Sequence, residues 1–470
     1  MSAPVTAAQA AVPGAQRVVS GPSRRNVELF LLILALLIGL YAYANVDLAI
    51  QGRLPANFLA VAGAFATLLG GAHVAVRIFA AYADPILLPA AALLNMVGLS
   101  MIHRLDLAQA ERAANSNARP PSADVAAQLT WTALALILFV MILVVVRDHR
   151  RLQRFTYTAM IGGVVLLLLP LVPGIGTTVN GATLWIRFGP LSFQPAEVAK
   201  ILLTIFFAGY LVRTRDSLAL VRRKVLGLGI PRGRDLGPIV VAWVVSMAVL
   251  VFQRDLGTTL MFFGLFVALL YIATQRRSWL VIGGGLFVFG CLFGYFLFGH
   301  VRLRVQVWLD TWQYASDQGY QIAQSLFGLA NGGMLGTGWG QGYPEFIPFA
   351  KTDFIAAALG EELGTTGFMA LLLLYGIIIE RALRTSIACR DPFGKLMTVG
   401  FAVVMALQLF VVIGGVTRLI PITGLTTPFL SYGGSALIVN WMILALIIRV
   451  SDRARRPLPA GTTASSGSAE

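Results

Sequence analysis

A long polar interruption, residues 300–362, separates two apolar runs and ends in ionisable residues. Within it, the segment KTDF places Asp353 directly before the next apolar run. A carboxylate at this position can serve as a general base when its pKa suits the reaction. The alternative is that Thr352 or Asp353 only caps the following helix, because both residue types accept backbone N–H bonds there. We predict that Asp353 is the catalytic group.

Glu361 and Glu362 follow about two helical turns after Asp353, inside the apolar run. Capping does not explain carboxylates at that depth. A buried carboxylate in a membrane helix needs a cationic partner, and we expect Lys200 or an arginine to be that partner.

A second candidate segment, residues 180–200, carries Gln194, Glu197 and Lys200 beside a proline that signals a helix start. Glu197 and Lys200 are three residues apart, so they share one helix face. They form either a salt bridge at a helix end or a site in which Lys200 neutralises an anionic substrate. Trp185 is expected at the membrane interface in both cases.

Two further stretches interrupt the apolar pattern. Asp255, in QRDLGTT, forms either a turn between short helices or part of a site. The segment 421–437 contains two prolines, three glycines and Ser431. It is either a re-entrant stretch that lines the site or a kinked helix start, because irregular backbone is tolerated at membrane depth only against protein or water. Within the outer interruption, residues 321–333 have the spacing of a short amphipathic helix.

Composition defines the class of protein. The chain has 470 residues, 57% of them hydrophobic and 12% charged, with a mean hydropathy of +0.78. Repeated apolar runs are long enough to cross a bilayer core of about 30 Å. We therefore predict an all-α, polytopic membrane helical bundle. The twelve predicted spans are 28–47, 58–79, 85–102, 128–147, 155–173, 195–213, 237–253, 257–274, 279–298, 354–380, 397–416 and 430–449.

The charge pattern predicts the orientation of the bundle. Net charge is +15, and the basic residues gather in alternate short loops, which favours positive-inside topology over nucleic-acid binding. Both termini are then cytoplasmic, and the large loop 299–353, before the tenth span, is extracytoplasmic. We divide the chain into a disordered tail at 1–26, a transmembrane domain at 27–450 and a disordered tail at 451–470.

Other functional classes find no support in the sequence. The two cysteines, Cys291 and Cys389, are not expected to meet, and the four histidines form no HxxxH pair, so we predict neither a disulfide nor a histidine-based metal site. The chain contains no P-loop, and its largest cytoplasmic loop, 214–236, is too short for an ATP-binding domain.

Taken together, these segments resemble the SEDS family (the RodA, FtsW and SpoVE proteins), which polymerises peptidoglycan glycan strands. Five motifs match in order over residues 155–450. They are QPAEVAK (194–200), QRDLGT (253–258), Arg304 with WLD (308–310), TDF with EELG (352–364), and PFLSYGG (428–434). Ala196 and Arg254 depart from the usual residues. The residues of the motifs are more similar to those of actinobacterial RodA than to those of FtsW. The family usually has ten spans, and we expect the two additional spans before residue 155.

The resemblance implies a glycosyltransferase that uses lipid II at the outer leaflet during cell elongation, in the bacterial plasma membrane, with Asp353 as the essential carboxylate. It also implies a class B penicillin-binding protein, a transpeptidase, as partner. Arg187, Arg304, Lys351 and Lys200 are candidates for neutralising the pyrophosphate, and Glu361, Gln194, Glu197, Trp185 and Ser431 complete the predicted substrate site. No cofactor is assigned. A divalent cation, Mg²⁺ or Mn²⁺, could share the neutralising role. The rival hypotheses are a lipid II flippase, with Lys200 and Glu361 lining a path, and a non-catalytic scaffold that recruits the transpeptidase.

Overall fold

The computed structural model describes residues 24–118, 122–179, 182–188, 191–219, 223–225, 228–230, 244, 248, 252–253 and 255–457. Apolar runs that cannot leave backbone groups unpaired in lipid form helices. The helices are α1 Arg25–Gln51, α2 Phe58–Phe79, α3 Leu87–Asn115, α4 Asp124–Val145, α5 Thr156–Leu168, α6 Pro195–Ala219, α7 Leu256–Thr274, α8 Ser278–Leu297, α9 Gly299–Leu309, α10 Tyr320–Gly332, α11 Ile355–Ala388, α12 Pro392–Val416 and α13 Gly434–Arg455.

Short 3₁₀ helices and strands connect them. The 3₁₀ helices are His149–Phe155, Leu169–Leu171 and Pro344–Phe346. A three-stranded antiparallel sheet is formed by β1 Gly176–Val179, β2 Ala182–Phe188 and β3 Leu191–Phe193, and a separate hairpin by β4 Arg223–Val225 and β5 Leu228–Ile230. These strands lie in connecting segments for which the sequence analysis predicted no regular structure.

Eleven spans of the described chain are long and apolar enough to cross a membrane. They agree with eleven of the twelve predicted spans, and the predicted seventh span, 237–253, lies almost wholly outside the described residues. The predicted amphipathic helix at 321–333 is confirmed as α10. The bundle is therefore the multi-pass helical membrane protein that composition indicated.

Some predicted boundaries were wrong. Helix α3 continues to Asn115, well past the predicted end at residue 102, because the added turns consist mainly of good helix formers such as alanine, leucine and glutamate. Helix α13 begins only at Gly434 and continues to Arg455, with Ser451 and Asp452 buried. Residues 451–455, which were predicted to belong to a disordered C-terminal tail, are therefore part of α13, and residues 458–470 lie outside the described part of the chain.

Packing places α3 and α13 at the centre of the bundle and α8 at its edge, where most of that helix is exposed. Helix α1 packs on α3, α4 on α13, α5 on α6, and α12 on α6, α7 and α11. The two ends of the bundle differ in content. One, here called the site end, carries 169–179, 182–188, 191–194, 298–354 and 417–433. The other, here called the basic end, carries 146–155, 275–277, 389–391 and 449–457.

Candidate active site

The KTDF turn is held from behind by the segment before α13. Ser431 Oγ donates to the carbonyl oxygen of Thr352 at 2.6 Å, and the Tyr432 amide donates to the carbonyl oxygen of Lys351 at 2.8 Å. Ser431 Oγ also accepts from the Thr427 amide at 2.8 Å. Ser431 was predicted to bind substrate, but it is buried and occupied by backbone groups, so it positions the turn instead.

Asp353 is partly exposed at the end of this turn, directly before α11. A Cβ added at Gly424 would lie 3.7 Å from its Oδ2, so this glycine leaves the carboxylate accessible from that side. A cavity of about 10 Å³ adjoins it, walled by Val411, Val412 and Val416 of α12 and by residues 422–425. Asp353 therefore has an apolar wall on one side and an opening on another.

This setting changes the acidity of Asp353. Burial raises the pKa of its carboxyl group to about 6, the Arg304 guanidinium opposes that rise, and the Asp255 carboxylate adds to it. A base with a pKa near 6 is ionised at neutral pH yet still basic enough to take a proton. No ion pair of Asp353 is found among the described residues.

Arg304 reaches the site from α9. Its Nη1 donates to the carbonyl oxygens of Ile422 and Thr423, at 3.2 and 3.3 Å. Burial lowers the pKa of Arg304, and the carboxylates of Asp255 and Asp353 act in the opposite direction. These hydrogen bonds hold the Arg304 guanidinium against the segment that carries Gly424, next to Asp255 and Asp353.

Asp255 caps α7, as the turn alternative anticipated. Its Oδ1 accepts from the Thr258 amide at 2.9 Å. Burial raises the pKa of Asp255, and the Glu197 carboxylate acts in the same direction. Hydrogen bonds from Thr258 and the charge of Arg304 oppose this rise. A Cβ at Gly257 would contact Leu425 at 2.7 Å, which explains why this position has no side chain. The DLGT motif therefore anchors the 422–425 segment beside Asp353.

Glu197 and Lys200 form the ion pair that their spacing predicted, with 2.6 Å between Oε2 and Nζ. Lys200 also donates to Oε1 of Gln408 at 3.0 Å, and Gln408 donates to the carbonyl oxygen of Thr426 at 2.8 Å. Lys200 is 1% exposed, so it acts on the site through Gln408 and the 421–433 segment. Gln408 was not among the predicted site residues, although a glutamine inside an apolar span is itself a signal.

Lys351 is turned away from Asp353. Its Nζ donates to Asp106 at 2.5 Å, to Gln109 at 2.8 Å and to Asp124 at 2.7 Å. Lys351 was predicted to neutralise pyrophosphate, but its charge is balanced by these two carboxylates. Lys351 therefore ties the turn to α3 and α4.

Glu361 and Glu362 hold the outer loop and do not meet Lys200. Glu361 Oε1 accepts from Asn331 Nδ2 and from the Tyr343 amide, each at 2.9 Å. Glu362 Oε1 accepts from Arg104 Nε at 2.9 Å. The expectation of an arginine partner is confirmed for Glu362. Sequence analysis missed Arg104, since it placed that residue in a loop.

Helix α11 is broken at Gly364, whose backbone has φ 68° and ψ −177°. The carbonyl oxygens of Glu361 and Glu362 accept from the amides of Thr337 and Gly338 instead of from their own helix. In return, the amides of residues 365 and 366 donate to the carbonyl oxygens of residues 333 and 334, at 2.9 and 3.0 Å. The outer loop thus supplies four backbone hydrogen bonds across the break, which helps to make the break tolerable at this depth.

The remaining predicted residues lie on the β1–β3 sheet and at its exit. Trp185 is paired with Thr177 across the sheet and is partly buried. Arg187 is paired with Ser192 and is exposed. Gln194 is buried, with its carbonyl oxygen accepting from the Glu197 amide at 3.1 Å. The sheet contacts α6 and α13, and α6 carries Glu197 and Lys200.

The donors near Asp353 offer little for a resident metal. In the described ranges, the only cluster of three metal-type ligands is His149, Cys389 and Asp391, at the basic end. Asp353 and Asp255 are both carboxylates, so a Mg²⁺ or Mn²⁺ ion there would depend on oxygens from a substrate diphosphate. The sequence analysis found no support for a histidine-based metal site, and this cluster is the described group that bears on that prediction.

Comparison with known proteins places these features in a family. Residues 85–456 match the model of the FtsW, RodA and SpoVE proteins, described as "Cell cycle protein". Helices α1 and α2 precede the matched region, as expected for two additional spans.

Individual relatives agree with the match. The chain is 50% identical over 438 residues to the peptidoglycan glycosyltransferase RodA of Mycobacterium tuberculosis, covering 93% of this chain and 92% of the relative. It is 34% identical over 311 residues to a probable peptidoglycan glycosyltransferase FtsW of Geobacter metallireducens, covering 65% of this chain and 79% of the relative.

A solved structure from a study of how a peptidoglycan synthase complex coordinates polymerisation and crosslinking has a similar fold. The TM-score is 0.61 at 27% identity, with 79% of this chain and 98% of that chain covered. The chain therefore belongs to the FtsW/RodA/SpoVE family, its similarity runs to actinobacterial RodA in particular, and its enzyme class is peptidoglycan glycosyltransferase.

Proposed function

We propose that this glycosyltransferase polymerises lipid II into glycan strands at the outer leaflet, with Asp353 as the general base. The observation that carries the proposal is the Asp353 carboxylate itself. It is partly exposed at the site end, is free of any ion pair within the described chain, and has a pKa raised to about 6.

In the proposed step, Asp353 takes the proton from the acceptor sugar hydroxyl as that oxygen attacks the anomeric carbon of the donor strand. The bond from this carbon to the polyprenyl pyrophosphate breaks, and the electron pair leaves with the phosphate oxygen. One displacement inverts the anomeric centre. The leaving group is already anionic, so it needs neutralisation more than a proton.

Arg304 is the candidate for that neutralisation, because it shares the site with Asp353 and its guanidinium can bind phosphate oxygens in a bidentate manner. Arg187 is exposed on β2 and would serve a more distant part of the diphosphate sugar. Lys200 and Lys351 are held by carboxylates, and we assign them to positioning. If a divalent cation takes part, the oxygens of the diphosphate would supply its ligands, and Asp353 would stay free to take the proton.

The orientation follows from charge. The basic end carries Arg150, Arg390, Arg453 and Arg456, and we infer that it faces the cytoplasm, together with both termini. The site end then faces the outer leaflet, where a lipid-linked sugar presents its head group.

We further propose a class B penicillin-binding protein as partner. The support is the solved relative, which comes from a complex that couples polymerisation to crosslinking.

Polymerisation of lipid II by the full chain, co-purified with that transpeptidase, tests the proposal. Asp353→Asn should reduce the rate by about 10²–10⁴-fold, with unchanged complex formation and thermal stability. Asp317→Asn removes an exposed carboxylate from the same outer loop and should leave the rate unchanged. Full activity of Asp353→Asn would show that Asp353 is not the base, and absence of polymerisation by the wild-type complex would support the scaffold instead. Translocation of lipid II in vesicles without new glycosidic bonds would support the flippase.

A further inference from the structure

Three segments converge on a cavity at the basic end. They are the 3₁₀ helix that starts at His149, the turn 389–391 between α11 and α12, and the end of α13 at residues 453–457. The cavity they enclose has a volume of about 310 Å³. None of these residues takes part in the proposed reaction, which is confined to the site end.

The lining of this cavity is strongly basic. Arg150, Arg390, Arg453 and Arg456 line it, and Asp391 is the only acidic residue in its lining among those that the structure describes. The side chains of Arg150, Arg453 and Arg456 are 50%, 40% and 53% exposed, so they remain accessible from the water phase. Arg453 and Arg456 are oriented by Asp148 and Asp452, at 3.2 and 3.1 Å.

The charge of Asp391 is already offset within the protein. Its carboxylate accepts from the Gly394 amide at 3.1 Å and from His149 Nε2 at 2.5 Å, and Cys389 Sγ lies 3.4 Å away. Burial favours a higher pKa for Asp391, but the hydrogen bonds from His149 and Gly394 outweigh it and lower the pKa to about 2. Asp391 therefore ties the turn 389–391 to the 3₁₀ helix, and its Oδ1 also lies 4.0 Å from Arg150 Nε. The four lining arginines outnumber the three carboxylates that pair with them, Asp148, Asp391 and Asp452, so positive charge remains in excess.

The position of the cavity indicates which kind of anion it binds. Its walls are the ends of three membrane spans, His149–Leu171, Ile355–Ala388 and Gly434–Arg455, so it opens at the level of lipid head groups. Basic pockets between helices at this level suit phosphate-bearing head groups. Guanidinium groups match phosphate geometry better than ammonium groups. We propose that this cavity binds the phosphate of an anionic phospholipid.

His149, Cys389 and Asp391 also offer ligand atoms within 4.8 Å of one another, the pattern of a zinc site. The surrounding arginines make the cavity unfavourable for a cation. Phospholipid binding therefore accounts for more of the lining than a metal does.

Native mass spectrometry of the full chain in detergent tests the proposal, with phosphatidylglycerol as the probe and phosphatidylcholine as the neutral comparison. Arg150→Gln with Arg390→Gln should weaken phosphatidylglycerol binding by roughly tenfold or more. The matched control is Arg151→Gln with Arg154→Gln. It removes the same charge from the same 3₁₀ helix region, outside the cavity, and should change binding much less. Arg150→Lys with Arg390→Lys keeps the charge and should weaken binding less than the glutamine variant does, so that misfolding of the glutamine variant can be recognised.

Three outcomes would overturn the proposal. Equal losses in the cavity and control variants would indicate general attraction to a basic surface. Binding of glycerol 3-phosphate as tightly as phosphatidylglycerol would assign the cavity to a soluble phosphate. Binding of zinc, lost in Cys389→Ala, with no preference for phosphatidylglycerol over phosphatidylcholine, would assign it to a metal.

Discussion

The KTDF turn and the break of α11 at Gly364, in EELG, follow one another in the chain at the end of the outer loop. Their carboxylates nevertheless differ in how they are bound. Asp353 in the turn has its backbone fixed by Ser431 and Tyr432, while its side chain forms no ion pair within the described chain. Glu361 and Glu362 in the break have their side chains bound by Asn331, Tyr343 and Arg104.

This difference separates chemistry from architecture. A carboxylate that must accept a proton has to stay free of ion pairs, and the turn achieves this by fixing the backbone, while a hydrogen bond from the Thr352 side chain only partly opposes the raised pKa of Asp353. A carboxylate that holds a loop against a helix is bound through its side chain. The two regions should therefore respond differently to substitution, one in rate and the other in stability.

The largest effect is expected in the break. Arg104→Ala removes the partner of Glu362 and leaves a buried charge unpaired, which should destabilise the protein by about 3–5 kcal/mol. Thermal unfolding in detergent measures this. Arg112→Ala, on the exposed end of the same helix, is the matched control and should cost about 1 kcal/mol or less. Similar losses in both variants would show that the Arg104–Glu362 contact has no special structural role.

A smaller effect is expected at the glycine of the break. Gly364→Ala puts a side chain at φ 68° and against the backbone of residues 334–336, so it should cost about 1–3 kcal/mol and loosen the outer loop.

The matched control for that glycine lies in the same helix. A Cβ at Gly376 has no atom within 4 Å, and Gly376→Ala should leave stability unchanged or raise it by about 0.5–1 kcal/mol. Hydrogen exchange of residues 333–338 and thermal unfolding measure both variants. Unchanged protection in Gly364→Ala would contradict the role assigned to the break.

The smallest effect concerns the turn and appears in the pH dependence of the rate. Asp353 must be ionised to act, so the rate should fall as pH drops through about 6. Arg304 holds the pKa of Asp353 down. Arg304→Gln should therefore shift the acid limb of the pH–rate profile to higher pH by about one unit, in addition to any loss of maximal rate. Arg302→Gln, on the exposed face of the same helix, should leave the limb in place. An unmoved limb in Arg304→Gln would mean that another group controls it.

Several features of the site could be predicted from the residues alone. The i,i+3 spacing of Glu197 and Lys200 predicted their ion pair, and Pro195 predicted the start of α6. Apolar runs located eleven described spans, because helix formation in lipid is a local requirement. The position of Asp353 before a span, rather than within one, is also local information.

The partners of the long-range residues were decided by the tertiary structure. Lys351 turned to Asp106 and Asp124, Arg104 to Glu362, and Lys200 to Gln408, each across a large separation in the chain. A charge pattern shows that a buried ion needs a partner, but several candidates of the right sign exist, and only the packing of helices selects one. The sequence alone therefore determined the membrane class, the spans and the candidate carboxylate. Which cations stay near that carboxylate, and which are used to hold the bundle together, depended on how the helices pack in space.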